Sequence, residues 1–169
     1  MKTIASVVMF VVLTGCASLA PVQPHNPPQQ EFTFNAPFDT VWTAIVERAT
    51  DKSWDIQTID KSSGFLGTNA KNIVSGFGTE NSMNTLAYPP FGSNLFNPVI
   101  WDGARQKIAI FVKRLGDSST SVKINISYEV FESNAHHSWY AWASNGANEK
   151  VIAEYIQSKG TSVAVPEKK

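Results

Sequence analysis

Thr120-Ser121-Val122-Lys123-Ile124-Asn125-Ile126-Ser127-Tyr128-Glu129-Val130-Phe131 alternates apolar and polar side chains along almost its whole length. Successive side chains of a strand point to opposite faces. This spelling therefore puts Val122, Ile124, Ile126, Tyr128 and Val130 on one side and Ser121, Lys123, Asn125, Ser127 and Glu129 on the other. One face packs and the other meets water, which is how an antiparallel sheet is written. Upstream, Ile108, Ile110 and Val112 share one face between Lys107 and Leu115, and Gly116-Asp117-Ser118-Ser119 supplies turn residues. The two runs predict a long hairpin.

Working outward, Phe32 and Phe34 alternate with polar neighbours as in a short strand. Asn35-Ala36-Pro37 then opens a helix, with Asn35 able to cap it, Pro37 suited to its first turn and Asp39 opposing the positive end of its dipole. From Pro37 to Lys52, Phe38, Val41, Trp42, Ile45, Val46 and Ala49 fall at helical spacing, which predicts an amphipathic helix lying on a sheet. Trp54 to Thr58 alternates, Asp60-Lys61-Ser62-Ser63-Gly64 is turn-rich, and Phe65 to Thr68 returns as a second strand. A last helix is expected from about Ala147 to Lys159, with Val151, Ile152, Tyr155 and Ile156 on one stripe and Gly160 placed to end it. The fold class is therefore α+β: an antiparallel sheet of about five strands packed by two helices, in the order β-α-β-β-β-β-α.

Two stretches fit neither period. Residues 70–103 form a long insertion rich in Asn, Gly, Ser and Pro that also carries Tyr88, Phe91, Phe96 and Trp101. Long structureless loops are uncommon in compact domains. The apolar groups either fold back over a sheet edge, present a contact loop tipped by Tyr88-Pro89-Pro90-Phe91, or stay disordered. From Asn134 to Ser144, Trp139, Tyr140 and Trp142 crowd before the final helix. Such a density of Trp and Tyr suits a binding rim, although residues 138–142 could equally continue the sheet and bury their rings.

The amino terminus carries an address. Lys2, the apolar run Ile4 to Leu13 and the small residues Thr14 and Gly15 read as a signal peptide over residues 1–15, the apolar run being too short to span a bilayer. Leu13-Thr14-Gly15-Cys16 resembles the lipobox of bacterial lipoproteins, whose cysteine thiol receives a diacylglycerol before its new amino group is acylated. That resemblance implies a covalent lipid on Cys16, and several acyl chains anchor a protein durably. Ala17, where inner-membrane lipoproteins commonly carry aspartate, implies the outer membrane, with the protein facing the periplasm. Residues 16–30 hold Pro21, Pro24, Pro27 and Pro28, the composition of a semi-rigid spacer that reaches roughly 40 Å at ~3.1 Å per residue. A single domain is expected over residues 31–160 and a flexible tail over residues 161–169.

Composition narrows the chemistry. Cys16 is the sole cysteine, so its lipidation would leave no thiol for a disulfide, a zinc site or a nucleophile. Lys and Arg number 14 and Asp and Glu 14, with no basic stripe of the kind that meets nucleic acid. His136-His137-Ser138 places imidazoles beside a hydroxyl, but adjacent residues of an extended segment point apart, which suits neither a triad nor a metal site. No catalytic residue, metal or cofactor beyond the lipid is expected.

Ala36-Pro37-Phe38-Asp39-Thr40-Val41-Trp42 and Asp60-Lys61-Ser62-Ser63-Gly64-Phe65-Leu66-Gly67-Thr68 resemble the helix-grip domains of periplasmic lipoproteins, best known from the C subunit of the outer-membrane β-barrel assembly machine. The resemblance covers about Phe32 to Thr68 and the final helix, and implies a sheet gripped by that helix. The assembly-machine subunit carries two such domains behind a long arm, whereas one domain behind a short spacer is expected here. Two functional expectations follow. The first is a non-catalytic protein-binding accessory or scaffold lipoprotein, meeting an envelope protein through Tyr88, Phe91, Phe96, Trp101, Trp139 and Trp142 or through a sheet edge. The alternative is a carrier whose sheet and last helix enclose a lipid or small apolar ligand.

Overall fold

A computed structural model describes residues 30–76, 78–90 and 99–160. The signal peptide, Cys16 and nearly all of the spacer lie outside the described residues, as do Phe91, Phe96 and the tail. The chain order is β1 (Glu31–Phe34), α1 (Phe38–Asp51), β2 (Ile56–Asp60), β3 (Phe65–Thr68), β4 (Lys71–Val74), α2 (Thr79–Asn84), β5 (Ala87–Tyr88), β6 (Trp101–Gly116), β7 (Ser119–Glu132), β8 (Ser138–Ser144) and α3 (Ala147–Gly160). The α+β class holds, but the sheet has eight strands rather than about five and three helices rather than two.

The hairpin of β6 and β7 is the spine. Its ladder runs from Trp101 opposite Glu132 to Gly116 opposite Ser119, so both strands outrun the alternating segments that announced them. Each long strand carries two shorter ones along its outer edge. β3 and β4 share the edge of β6, while β1 and β8 share that of β7. β2 beside β3 and the two-residue β5 beside β8 close the two sides. Between β3 and β4 the ladder is interrupted, and there the Thr68 hydroxyl oxygen accepts the Ile108 N–H at 3.0 Å.

One face of this sheet makes the core. Ile108, Ile110 and Val112 of β6 lie opposite Ile126, Ile124 and Val122 of β7, and all six are buried. Over them lies α1, which contributes Val41, Trp42, Ala44, Ile45 and Ala49. Burying an aliphatic or aromatic side chain of this size stabilises by about 1.5–3 kcal/mol, so this layer dominates folding. Asn35 does not cap α1. Pro37 occupies the capping position without a side-chain hydrogen bond, and its carbonyl accepts the Val41 N–H at 3.2 Å. At the helix entrance Asp39 pairs with Lys61, in the turn after β2, at 2.8 Å.

α3 lies antiparallel to α1. Lys159 pairs with Glu47 at 3.0 Å, the Tyr155 hydroxyl donates to Asp51 at 3.1 Å, and the Arg48 guanidinium sits 4.9 Å from the Tyr155 ring centre. Its core stripe differs from the expected one. Ile152, Ala153 and Ile156 are buried with Glu149, whereas Val151 is 45% exposed and Tyr155 half-buried. Beneath α3 the Tyr128 hydroxyl accepts from Asn148 at 2.8 Å. Burial, offset in part by that bond, pushes its phenol up to about 12.

The expected insertion over residues 70–103 is not one irregular loop. Its described parts fold back as β4, α2, β5 and the start of β6, and bury Met83, Ala87 and Trp101. α2 is fastened to the base of β6, since the Thr79 hydroxyl oxygen accepts the Gly103 N–H at 3.0 Å and Asp102 accepts the Gly76 N–H at 2.9 Å. Among the described residues, no helix is long and apolar enough to cross a membrane.

Candidate functional site

The register of β7 and β8 decides which aromatic rings can meet a partner. Tyr128 lies opposite Trp142 and Val130 opposite Tyr140, on the core side. Phe131 lies opposite Trp139 on the other side. Trp142 and Trp101 are 2% and 5% exposed, and their rings meet edge to face at 5.2 Å. Tyr140 stands against Trp101 in the same manner at 5.9 Å. Trp101 and Trp142 are therefore core residues rather than the partner contacts expected of them: alternation carries the even-numbered residues of β8 inward, and a register shift between Trp101 and Ala104 turns Trp101 of β6 to the same side. Tyr88 is half-buried on β5, at the edge of the sheet. Of the six expected contact residues, Trp139 alone among those described stands well exposed, at 40%.

Trp139 belongs to a constructed patch. Arg105 of β6 places its guanidinium 4.2 Å from the Trp139 ring centre, and its Nε pairs with Glu129 of β7 at 2.6 Å. The Phe131 ring lies 5.4 Å from Trp139. Farther along the same face, Phe111 is 46% exposed and packs on Phe65 at 4.9 Å. Lys107, Lys123 and Ser127 lie between the two aromatic groups and are exposed. The described helices contribute their buried residues to the opposite face, so this one faces solvent. Aromatic rings and arginine are enriched in protein interfaces, and Trp, Tyr and Arg in their energetic centres.

Arg105, Phe131, Phe65 and Phe111 are absent from the expected contact set. The signal that could have found them is cross-strand. Phe131 and Trp139 lie opposite one another across the turn that joins β7 to β8, and Phe65 and Phe111 meet only through the pairing of β3 with β6, between which β4, α2 and β5 intervene in sequence.

The histidine segment proves to be a turn cap. Glu132, whose side chain is 1% exposed, accepts the N–H groups of Asn134 at 2.7 Å, Ala135 at 2.7 Å and His136 at 2.6 Å. Burial alone would raise its pKa. The amides of Ala135, His136 and Asn134 outweigh that, aided by the nearby imidazole, and hold the carboxyl down to about 2. His136 Nδ1 lies 3.5 Å from Glu132, but the ring is 68% exposed on a turn and the carboxylate is engaged by backbone. Among the described residues no group of three or more His, Cys, Asp or Glu is placed to hold a metal ion. No protein-family model matches this chain, and no curated protein matches it.

Proposed function

We propose that this protein is a membrane-anchored lipoprotein of the periplasm, tethered to the outer membrane through a lipid on Cys16, and that it serves as a non-catalytic protein-binding accessory or scaffold of the cell envelope. The face carrying Trp139, Phe131 and Arg105 is the surface that meets its partner. The observation that supports this is a tryptophan held open to solvent by a guanidinium that is itself fixed by a carboxylate. An exposed ring would ordinarily be covered or mobile. Here it is pre-organised, which lowers the entropy lost on docking. The finer architecture is read as helix-grip-like, with α3 beside α1 on the core face of a curved sheet.

Two variants separate the parts of this reading. Cys16→Ala should release the protein into the soluble periplasm, and continued membrane association would contradict the anchor. Trp139→Ala should abolish co-purification of the envelope partner from producing cells while lowering the thermal midpoint by no more than a few degrees. Undiminished recovery of that partner would contradict the assignment of the surface.

A further inference from the structure

α1 stops at Asp51 while α3 continues past it toward Ala147, so that α3 runs on over the sheet without α1 beside it. A groove of about 380 Å³ opens there, within the ~300–1,000 Å³ usual for small-molecule sites. Its apolar lining is Ile108 and Ile126 of the sheet, Val151 and Ile152 of α3, and Trp54 and Ile73. Three cations also line it. Arg48 and Lys52 come from the end of α1 and Lys71 from β4. No carboxylate is among the lining residues described, and none of the three cations is in an ion pair among the described residues. Asp51, the acid between Arg48 and Lys52 in sequence, accepts the Tyr155 hydroxyl instead.

Cations near a helix carboxyl end offset its dipole, which accounts for Arg48 and Lys52 on α1. It does not account for Lys71, which arrives from a different element, whose ammonium donates to the Ser53 carbonyl at 2.8 Å on the chain leaving α1. An oxyanion entering the groove would meet the exposed side chains of Lys52 and Lys71 beside Arg48.

We infer that the groove binds an anionic single-chain amphiphile, with its carboxylate or phosphate head at Arg48, Lys52 and Lys71 and its alkyl tail over Ile108, Ile126 and Ile152. This site lies on the core side of the sheet, so it is independent of the partner face around Trp139 and stands or falls separately from it.

The test is isothermal titration calorimetry on the chain carrying Cys16→Ala, so that no acyl chain of its own competes, using decanoate, decyl phosphate, decanol and inorganic phosphate. Decanoate and decyl phosphate should each bind one per chain, about tenfold tighter than decanol, and inorganic phosphate should not displace decanoate. Arg48→Gln and Lys71→Gln should each weaken decanoate about fivefold. Val151→Trp, which fills the groove from an exposed position of α3, should abolish binding with the thermal midpoint unchanged. Equal affinity for decanol, displacement of decanoate by inorganic phosphate, or undiminished binding in Lys71→Gln and Val151→Trp would each overturn the inference. The last two substitutions lie on exposed positions, so the test survives any instability of Arg48→Gln.

Discussion

Arg105 and Trp139, on strands that do not pair with each other, are joined across β7 by a guanidinium lying 4.2 Å from the indole centre. Glu129, directly opposite Arg105 on β7, fixes that guanidinium at 2.6 Å. The arrangement is partly open to solvent, with side-chain exposures of 34% for Arg105 and 43% for Glu129, so its contribution to folding is small. Arg105→Ala should lower stability by about 1 kcal/mol in chemical denaturation while removing most of the affinity for the partner. A loss of stability several times larger would make this a structural clamp rather than a prepared contact.

The two tryptophans of β8 should behave in opposite ways. Trp142→Ala empties a site packed by Trp101 and should cost about 3–5 kcal/mol. Trp139→Ala should cost about 1 kcal/mol or less, since the ring is 40% exposed. Comparable losses in urea denaturation would show that the strand register assigned to β8 is wrong.

Glu132 links folding to acidity. Its folded value of about 2 lies below the ordinary 4.5, so the ionised form stabilises the fold above pH 4.5 and that contribution is lost as pH falls toward 2. Glu132→Gln should be about 2 kcal/mol less stable at neutral pH, and the gap to the parent should close on acidification. Denaturation midpoints followed across that range would show a constant gap if the three amides of the turn did not depend on the charge.

Gly64 tolerates no side chain. Its φ is +71°, its carbonyl accepts the Val112 N–H at 2.7 Å, and a Cβ would collide with the Val112 carbonyl oxygen. Gly64→Ala should therefore cost about 3 kcal/mol, combining backbone strain with the clash. Calorimetry showing a midpoint within a degree or two of the parent would refute the requirement.

Local pattern carried much of this fold, and its failures have identifiable causes. The alternation from Thr120 to Phe131 lies wholly within β7, and the turn expected at Asp60 to Gly64 forms, with Asp60 accepting from Ser62 at 2.9 Å. Trp101 was hidden because Gly103, at φ +104°, shifts the register of β6 and resets its alternation. Trp142 and Trp139 carry the same ring on opposite faces, which only the pairing of β8 distinguishes. Val151 and Ile152 are neighbours on α3, and the direction from which α3 meets the sheet selects Ile152. The convergence of Arg48 and Lys71 on one groove leaves no trace in sequence spacing, since it arises where one helix ends and another continues.

What touches Trp139 in the cell decides whether this face is a partner surface. Site-specific photo-crosslinking with a photoreactive phenylalanine at position 139, which keeps an aromatic ring beside Arg105, and at Thr43 on the solvent side of α1 as the control position, reads this without purification. A partner surface around Trp139 should yield a discrete protein adduct from position 139 that disappears in an Arg105→Glu background and is absent from position 43. No adduct at 139, or the same adduct from both positions, would contradict it.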